Sequence, residues 1–367
     1  MEFECNKEKI QEALSLAERM VGKNLSLDIL GFILITTKGD TLQIRSTNLD
    51  VGIEITIPIK TKKEGSIALP CGIISNLLSN IHDTIINFKI IKNNNLSITT
   101  KNTTTTIKTK PHTDFPLLPK INNKDSLKIS TQDFLLGINS VSYSSATSDI
   151  KPEISSIFIY NNANTLIFVA TDSFRLAEKK IDLKSDIKQN LSLLIPFKNI
   201  IEISKVLSNK GGELFINFDK NQISLQVDTT YITSRLVDGV FPDYKQIIPK
   251  EFTTEAVVLK EDFIDALKVT NLFSDKFNKI TITIEPVKKV FEISSHNSDL
   301  GENKTTLSAS ISGEGIYVNF NHRYINDCLS ALKKDSLVLK MNNETQPMII
   351  KGVHDENFIY LIMPLNS

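Results

Sequence analysis

The chain repeats itself on a long period. FPLLP, opening at Phe115, stands 126 residues before FPDYKQIIP, opening at Phe241, and the proline of LPCGII (Pro70) stands the same 126 before that of IPFKNI (Pro196). A third copy keeps the phase with weaker letters: in FNHRYINDCLSAL, Asn321 follows Pro196 by 125 residues, and Met363-Pro364 falls near a third corner. Such periodicity outranks any local motif, because every copy must fold as the same supersecondary unit. Each period splits again. MEFECNKEKIQEALSLAERMV, LKISTQDFLLGINSVSY and VVLKEDFIDALKVTNLF all read as a strand running into an amphipathic helix, and a second helix starts 64, 66 and 61 residues later, respectively. The expectation is an α+β fold of six helix-plus-strands modules, fused in pairs into three domains, 1–118, 127–250 and 255–367.

Composition agrees with folded domains. At 367 residues the chain is too long for one core and suits three. Forty-two basic residues balance 42 acidic ones, which argues against a protein that grips nucleic acid over its whole surface but allows a local basic face. Cys5, Cys71 and Cys328 are odd in number and widely spaced; they read as buried thiols in a reducing compartment rather than a disulfide frame. No basic n-region, apolar h-region or membrane-length apolar run is present, so a cytoplasmic, soluble protein is expected.

The chemistry of catalysis is missing from the letters. Five histidines never reach metal-ligand spacing, and HExxH, the P-loop and GxSxG do not occur. No cofactor, metal site or catalytic group is expected. One stretch stands out instead: TDSFRL, Thr171 to Leu176, reads as a tight polar turn between an apolar and a charged strand, and no letters at the corresponding phase of the other domains repeat it. The chain ends in FIYLIMPLNS, whose apolar residues need a cover or a ligand.

ATDSFRLA, SRLVDGVFPDYKQIIP and the terminal IMPL resemble, in order and spacing, the signatures of the bacterial DNA sliding clamp, the beta subunit of DNA polymerase III. The likeness spans the whole chain, threefold repeat included. It implies a closed ring with helices inside and sheets outside, made by two chains head to tail around duplex DNA. It places the dimer contact at Ile107 and Lys108 on one side and at Leu272, Phe273, Asp299 and Glu302 on the other. Lys198 and Lys205, seven residues apart on one helix face, would point at phosphates, with Lys9, Lys23, Lys151, Lys268 and Arg323 as further candidates.

The resemblance also implies a pocket that captures the replicative polymerase, the clamp loader and repair proteins through QLxLF-type peptides. Carried over by position, it comprises Ile154, Thr171, Ser173, Phe174, Arg175, Leu176, Pro242, Ile247, Leu361, Ile362, Met363, Pro364 and Leu365. Two departures stand in it: Ser173-Phe174 where Gly-His is frequent, and Gln246 where a basic residue is frequent. The rival reading is a β-rich repeat scaffold that binds proteins but not DNA.

Overall fold

The computed structural model describes residues 1–22, 27–92, 95–121, 126–148, 150–183, 187 and 190–365. The repeat appears as six α-helices among them: α1 (Lys7–Glu18), α2 (Cys71–Ser79), α3 (Thr131–Val141), α4 (Phe197–Leu207), α5 (Lys260–Asn271) and α6 (His322–Cys328). Each begins on the residue after a strand ends. In α1 the Asn6 side chain accepts the Glu8 and Lys9 amides at 2.9 and 3.2 Å, and Asn321 caps α6 through Arg323 at 2.9 Å. These bonds satisfy amides that the first helical turn leaves open. Ile10, Ala13, Leu14 and Ala17 then form the buried stripe of α1 at helical spacing.

Every strand pairing is antiparallel, and the strands follow one rule. Each helix is preceded by a lead strand, and that lead strand pairs with the first strand of the companion module, although Glu2–Asn6 and Thr254–Leu259 also pair a later strand of their own module, Lys60–Lys63 and Ala309–Gly313. Glu2–Asn6 pairs Ile85–Ile90, and Gly65–Pro70 pairs Phe32–Lys38. Leu127–Ser130 pairs Glu213–Phe218, and Ser192–Pro196 pairs Ser156–Asn162. Thr254–Leu259 pairs Ser336–Met341, and Ile316–Asn321 pairs Lys279–Glu285. The exchange explains why modules come in pairs: neither completes its sheet alone.

The chain divides into two compact units, Met1–Gln132 with Lys198–Leu236, and Asp133–Phe197 with Val237–Ser367. The first holds a five-stranded and an eight-stranded sheet. Its core includes Phe3 stacked on Phe88 with ring centres 4.7 Å apart. The second unit holds a nine-stranded and a four-stranded sheet. There Phe134 of α3 meets Phe168 edge-on at 5.8 Å, and Gly137 is required because a Cβ would lie 2.4 Å from the Phe168 ring. All three cysteines are buried and free, and burial pushes the Cys5 and Cys71 thiols up to about 11. Among the described residues no helix is long and apolar enough to cross a membrane.

A second rule governs the third strand after each helix. Val51–Pro58 pairs Thr230–Arg235, and Arg175–Asp182 pairs Phe358–Ile362, joining sheets from different modules. The other two, Thr104–Ile107 and Gly301–Leu307, stand at sheet ends, each paired on one side only among the described strands, with Leu96–Thr99 and Val290–Asn297 respectively.

Candidate functional site

The second unit builds its site where Arg175–Asp182 meets Phe358–Ile362. The preceding turn is made by side chains standing in for backbone partners. Thr171 Oγ1 donates to the Arg175 carbonyl (2.7 Å) and accepts the Ser173 amide (3.1 Å), while Asp172 Oδ1 accepts the amides of Phe174 and Arg175 at 3.0 Å each. Ser173 is forced to φ +78°, a left-handed conformation that costs a residue with a Cβ roughly 1–2 kcal/mol. Arg175 ties the turn to α6: Nε donates to Asp172 (2.9 Å), Nη1 to Asp327 (2.5 Å), and the guanidinium lies 4.4 Å over the Tyr324 ring. Burial opposes its charge, but the bond to Asp327 and the pull of the neighbouring acidic groups outweigh that and raise its pKa.

Beyond the turn lies an apolar floor. Leu176 and Leu361 stand opposite each other in the strand register and belong to a buried cluster with Ile167, Val169, Leu194, Phe241 and Tyr244. Phe158, Tyr160, Val237, Ile248 and Met363 pack against it partly exposed. The Phe-Pro corner supplies a wall. Phe241 stacks on Phe158 at 4.9 Å and meets Tyr244 edge-on at 6.1 Å, while Pro242 and Ile247 stand exposed beside them. The chain end closes the other side. The Met363 amide donates to the Phe174 carbonyl and the Leu365 amide to the Asn319 carbonyl, both at 2.8 Å, which holds half-buried Met363, Pro364 and Leu365 along the surface.

The structure therefore gathers most of the expected pocket. Thr171 and Arg175 shape it, Leu176, Leu361 and Met363 form its floor, and Phe174 projects from the turn at 61% exposure. Half-buried Ile154 joins through Ala146, whose amide is shared by the carbonyls of Ile154 (3.1 Å) and Thr171 (3.2 Å). Ile362 differs: alternation along the strand turns it away from Leu361, toward the face of Tyr360, whose hydroxyl donates to the Tyr324 carbonyl at 2.7 Å. It is fully buried core behind the floor.

Sequence reasoning missed Phe158, Phe241, Tyr244 and Glu178. Period-two alternation in SIFIYNN puts Phe158 and Tyr160 on one face, a signal that was there to be used. Glu178 gave none, since its partner arrives from far along the chain: Tyr244 donates a very short hydrogen bond to it and lies 2.7 Å from the Tyr160 hydroxyl. Burial, then the bond to this carboxylate, pushes the Tyr244 phenol far above its ordinary pKa.

The expectation that nothing repeats TDSFRL needs correction. In the first unit Thr47 Oγ1 donates to the Val51 carbonyl (2.9 Å) and accepts the Leu49 amide (3.0 Å), and Asn48 Oδ1 accepts the amides of Asp50 and Val51 at 3.0 and 2.9 Å. Leu49 even shares the φ of +78°. A third Asx turn at Asn297 accepts the Asp299 and Leu300 amides before strand Gly301–Leu307. The turn is a property of the repeat; what the second unit adds is the floor. Where it has Leu176 and Leu361, the first has Gly52 and Thr233 in the matching register, and Leu118 stands 2.4 Å from where a Cβ on Gly52 would be. The groove of about 380 Å³ that remains there is lined by its own corner, Pro116 to Pro119.

The basic candidates divide between helices and loops. Lys198 and Lys205 are both exposed on α4, and Lys205 is paired with Glu202 (2.7 Å), which also meets Arg19 (3.5 Å). Lys9 of α1, Lys268 of α5, Arg323 of α6 and Lys151 of a loop are exposed, Lys268 beside Asp265 at 2.9 Å. Lys23 lies outside the described residues. Of the expected contact residues, Ile107 is buried in its own sheet and Lys108 exposed. Leu272 is 67% exposed, Phe273 half-buried, and Asp299 and Glu302 exposed at the third turn and its strand.

Comparison with known proteins follows the repeat. Residues 1–119, 128–243 and 245–366 match the family models of the N-terminal, central and C-terminal domains of the DNA polymerase III beta subunit. A curated relative, the beta sliding clamp of Staphylococcus aureus, is 24% identical over 386 aligned positions covering all of both chains. The DNA polymerase sliding clamp of Bacillus subtilis superposes with a TM-score of 0.97 at 23% identity, covering 100% of this chain and 99% of that one. The beta subunit from Streptococcus pyogenes gives 0.94 at 23%, covering all of both.

Proposed function

The chain belongs to the DNA polymerase III beta subunit family, the non-catalytic sliding clamps, and from that premise we propose that two copies close head to tail around duplex DNA and tether the replicative polymerase. The observation that carries the proposal is that Thr104–Ile107 and Gly301–Leu307 are each paired on one side only among the described strands. The other third strands pair with each other, so Thr104–Ile107 of one copy and Gly301–Leu307 of another obey the same rule. Ile107 contributes main chain to that contact, while Lys108, Leu272, Phe273, Asp299 and Glu302 supply side chains around it. The three domains of the clamp are 1–118, 127–250 and 255–367.

Lys198 and Lys205, with Lys9, Lys151, Lys268 and Arg323, face the DNA; Lys23, expected among them, lies outside the described residues. Acidic neighbours such as Glu202 and Asp265 thin the positive charge. That suits a sleeve that must slide, because every neutralised phosphate tightens binding and steepens its salt dependence. The pocket beside the Thr171–Leu176 turn takes the short apolar peptides of the polymerase, the clamp loader and repair proteins. A Leu or Phe buried there contributes roughly 1.5–3 kcal/mol, so three anchors near the upper end of that range reach micromolar affinity, about −8 kcal/mol.

Retention on DNA tests the proposal. Loaded on a nicked circular duplex, the protein stays through gel filtration and is lost when a restriction enzyme linearises the circle. Equal retention on both forms would sink the clamp and favour the protein-binding scaffold.

A further inference from the structure

One carboxylate interrupts the apolar floor of the pocket. Glu178 lies two residues beyond Leu176 on the same face of its strand, between Val169 and Ile359 in the register, and is 7% exposed. It accepts the hydroxyl of Tyr244, which is 5% exposed and stands 2.7 Å from the Tyr160 hydroxyl. Lys180 Nζ lies 3.5 Å from the other carboxylate oxygen, and the Lys245 ammonium sits 5.4 Å over the Tyr160 ring. A carboxylate and a phenol cut off from water must satisfy each other, so the bond fixes where Tyr244 sits.

The repeat contains the same device a second time. Glu54 stands three residues into Val51–Pro58, as Glu178 stands three into Arg175–Asp182, and it is 6% exposed. It accepts Lys120 at 2.8 Å and Arg45 at 2.5 Å. In each copy a buried carboxylate ties the segment after the Phe-Pro corner to the sheet. Only in the second unit is the tied residue an aromatic whose ring belongs to the apolar cluster beside the turn.

We propose that Glu178 is a positioning residue for the pocket: through Tyr244 it holds the wall Phe241–Ile248 at the height above Leu176 and Leu361 that a partner's apolar side chain needs. The inference rests on the peptide reading of this pocket. A wall held in place before binding spares the peptide the cost of ordering it. The shared architecture of the two ties separates this role from plain stability, because the twin at Glu54 has no apolar floor beside it.

The test uses the full chain and a fluorescein-labelled Gln-Leu-Ser-Leu-Phe peptide in anisotropy titrations, with thermal melts alongside. Glu178→Leu and Tyr244→Phe bind roughly tenfold more weakly, the scale of a lost hydrogen bond to a charged group, and Glu178→Gln, which keeps an acceptor, recovers most of that loss. Glu54→Leu lowers the melting temperature and binds the peptide like wild type. Should Glu178→Leu fail to fold, the nearly isosteric Tyr244→Phe decides. Wild-type affinity in Tyr244→Phe, or a Glu54→Leu loss as large as that of Glu178→Leu, overturns the inference while leaving the pocket in place. A wild-type chain that ignores the peptide overturns the pocket reading itself.

Discussion

Ser173 shows how much one residue gives up to make this turn. Its φ of +78° is a region glycine occupies without strain, so Ser173→Gly raises stability by about 0.5 kcal/mol once glycine's greater unfolded-state freedom is set against the relief; the urea midpoint reads it. His322 adds a pH dependence. Burial lowers its pKa, partly offset by its contact with the Leu267 carbonyl at 3.0 Å. A ring that resists protonation in the folded chain binds fewer protons than when unfolded, so its contribution is whole above the ordinary value of 6.5 and is lost as pH falls below it. Between pH 7.5 and 5.5 the wild-type urea midpoint therefore drops further than that of His322→Gln. Local letters carried the turn: Thr171, Asp172 and Ser173 are residues whose side chains bond their own backbone. They did not carry its twin, since Leu49 is the last residue type expected at a left-handed position, nor Glu178, whose partner is set by tertiary structure.

At the scale of helices and strands, the exposed end of α5 is the most direct handle on self-association. Leu272, 67% exposed, contributes little to its own domain, so Leu272→Asp leaves the melting temperature of the chain nearly unchanged. In a partner contact the same side chain is worth roughly 1.5–3 kcal/mol, and a carboxylate there carries a further desolvation cost. Sedimentation of Leu272→Asp then gives the mass of one subunit at concentrations where wild type gives two. Helix positions were legible because periodicity and strand-to-helix junctions are local. The exchange of lead strands was not: all strands alternate alike, and nothing in Glu2–Asn6 says that it pairs Ile85–Ile90 as well as the nearer Lys60–Lys63.

For the whole molecule, a threefold period read from two prolines and two Phe-Pro corners was enough for the class of fold, since each copy constrains the others. The partition into two compact units was beyond it, because the sheets that run across modules are joined by third strands whose pairing has no sequence mark. The exchange of lead strands bears on how such a chain is made. When α1 leaves the ribosome, the strand before it has no mate; Lys60–Lys63 arrives first on one side, and the other side stays open until Ile85–Ile90 has been translated. Each domain thus completes its sheets only after its second half emerges, and until then the open side of the lead strand is an edge that a neighbouring polysome product can pair with.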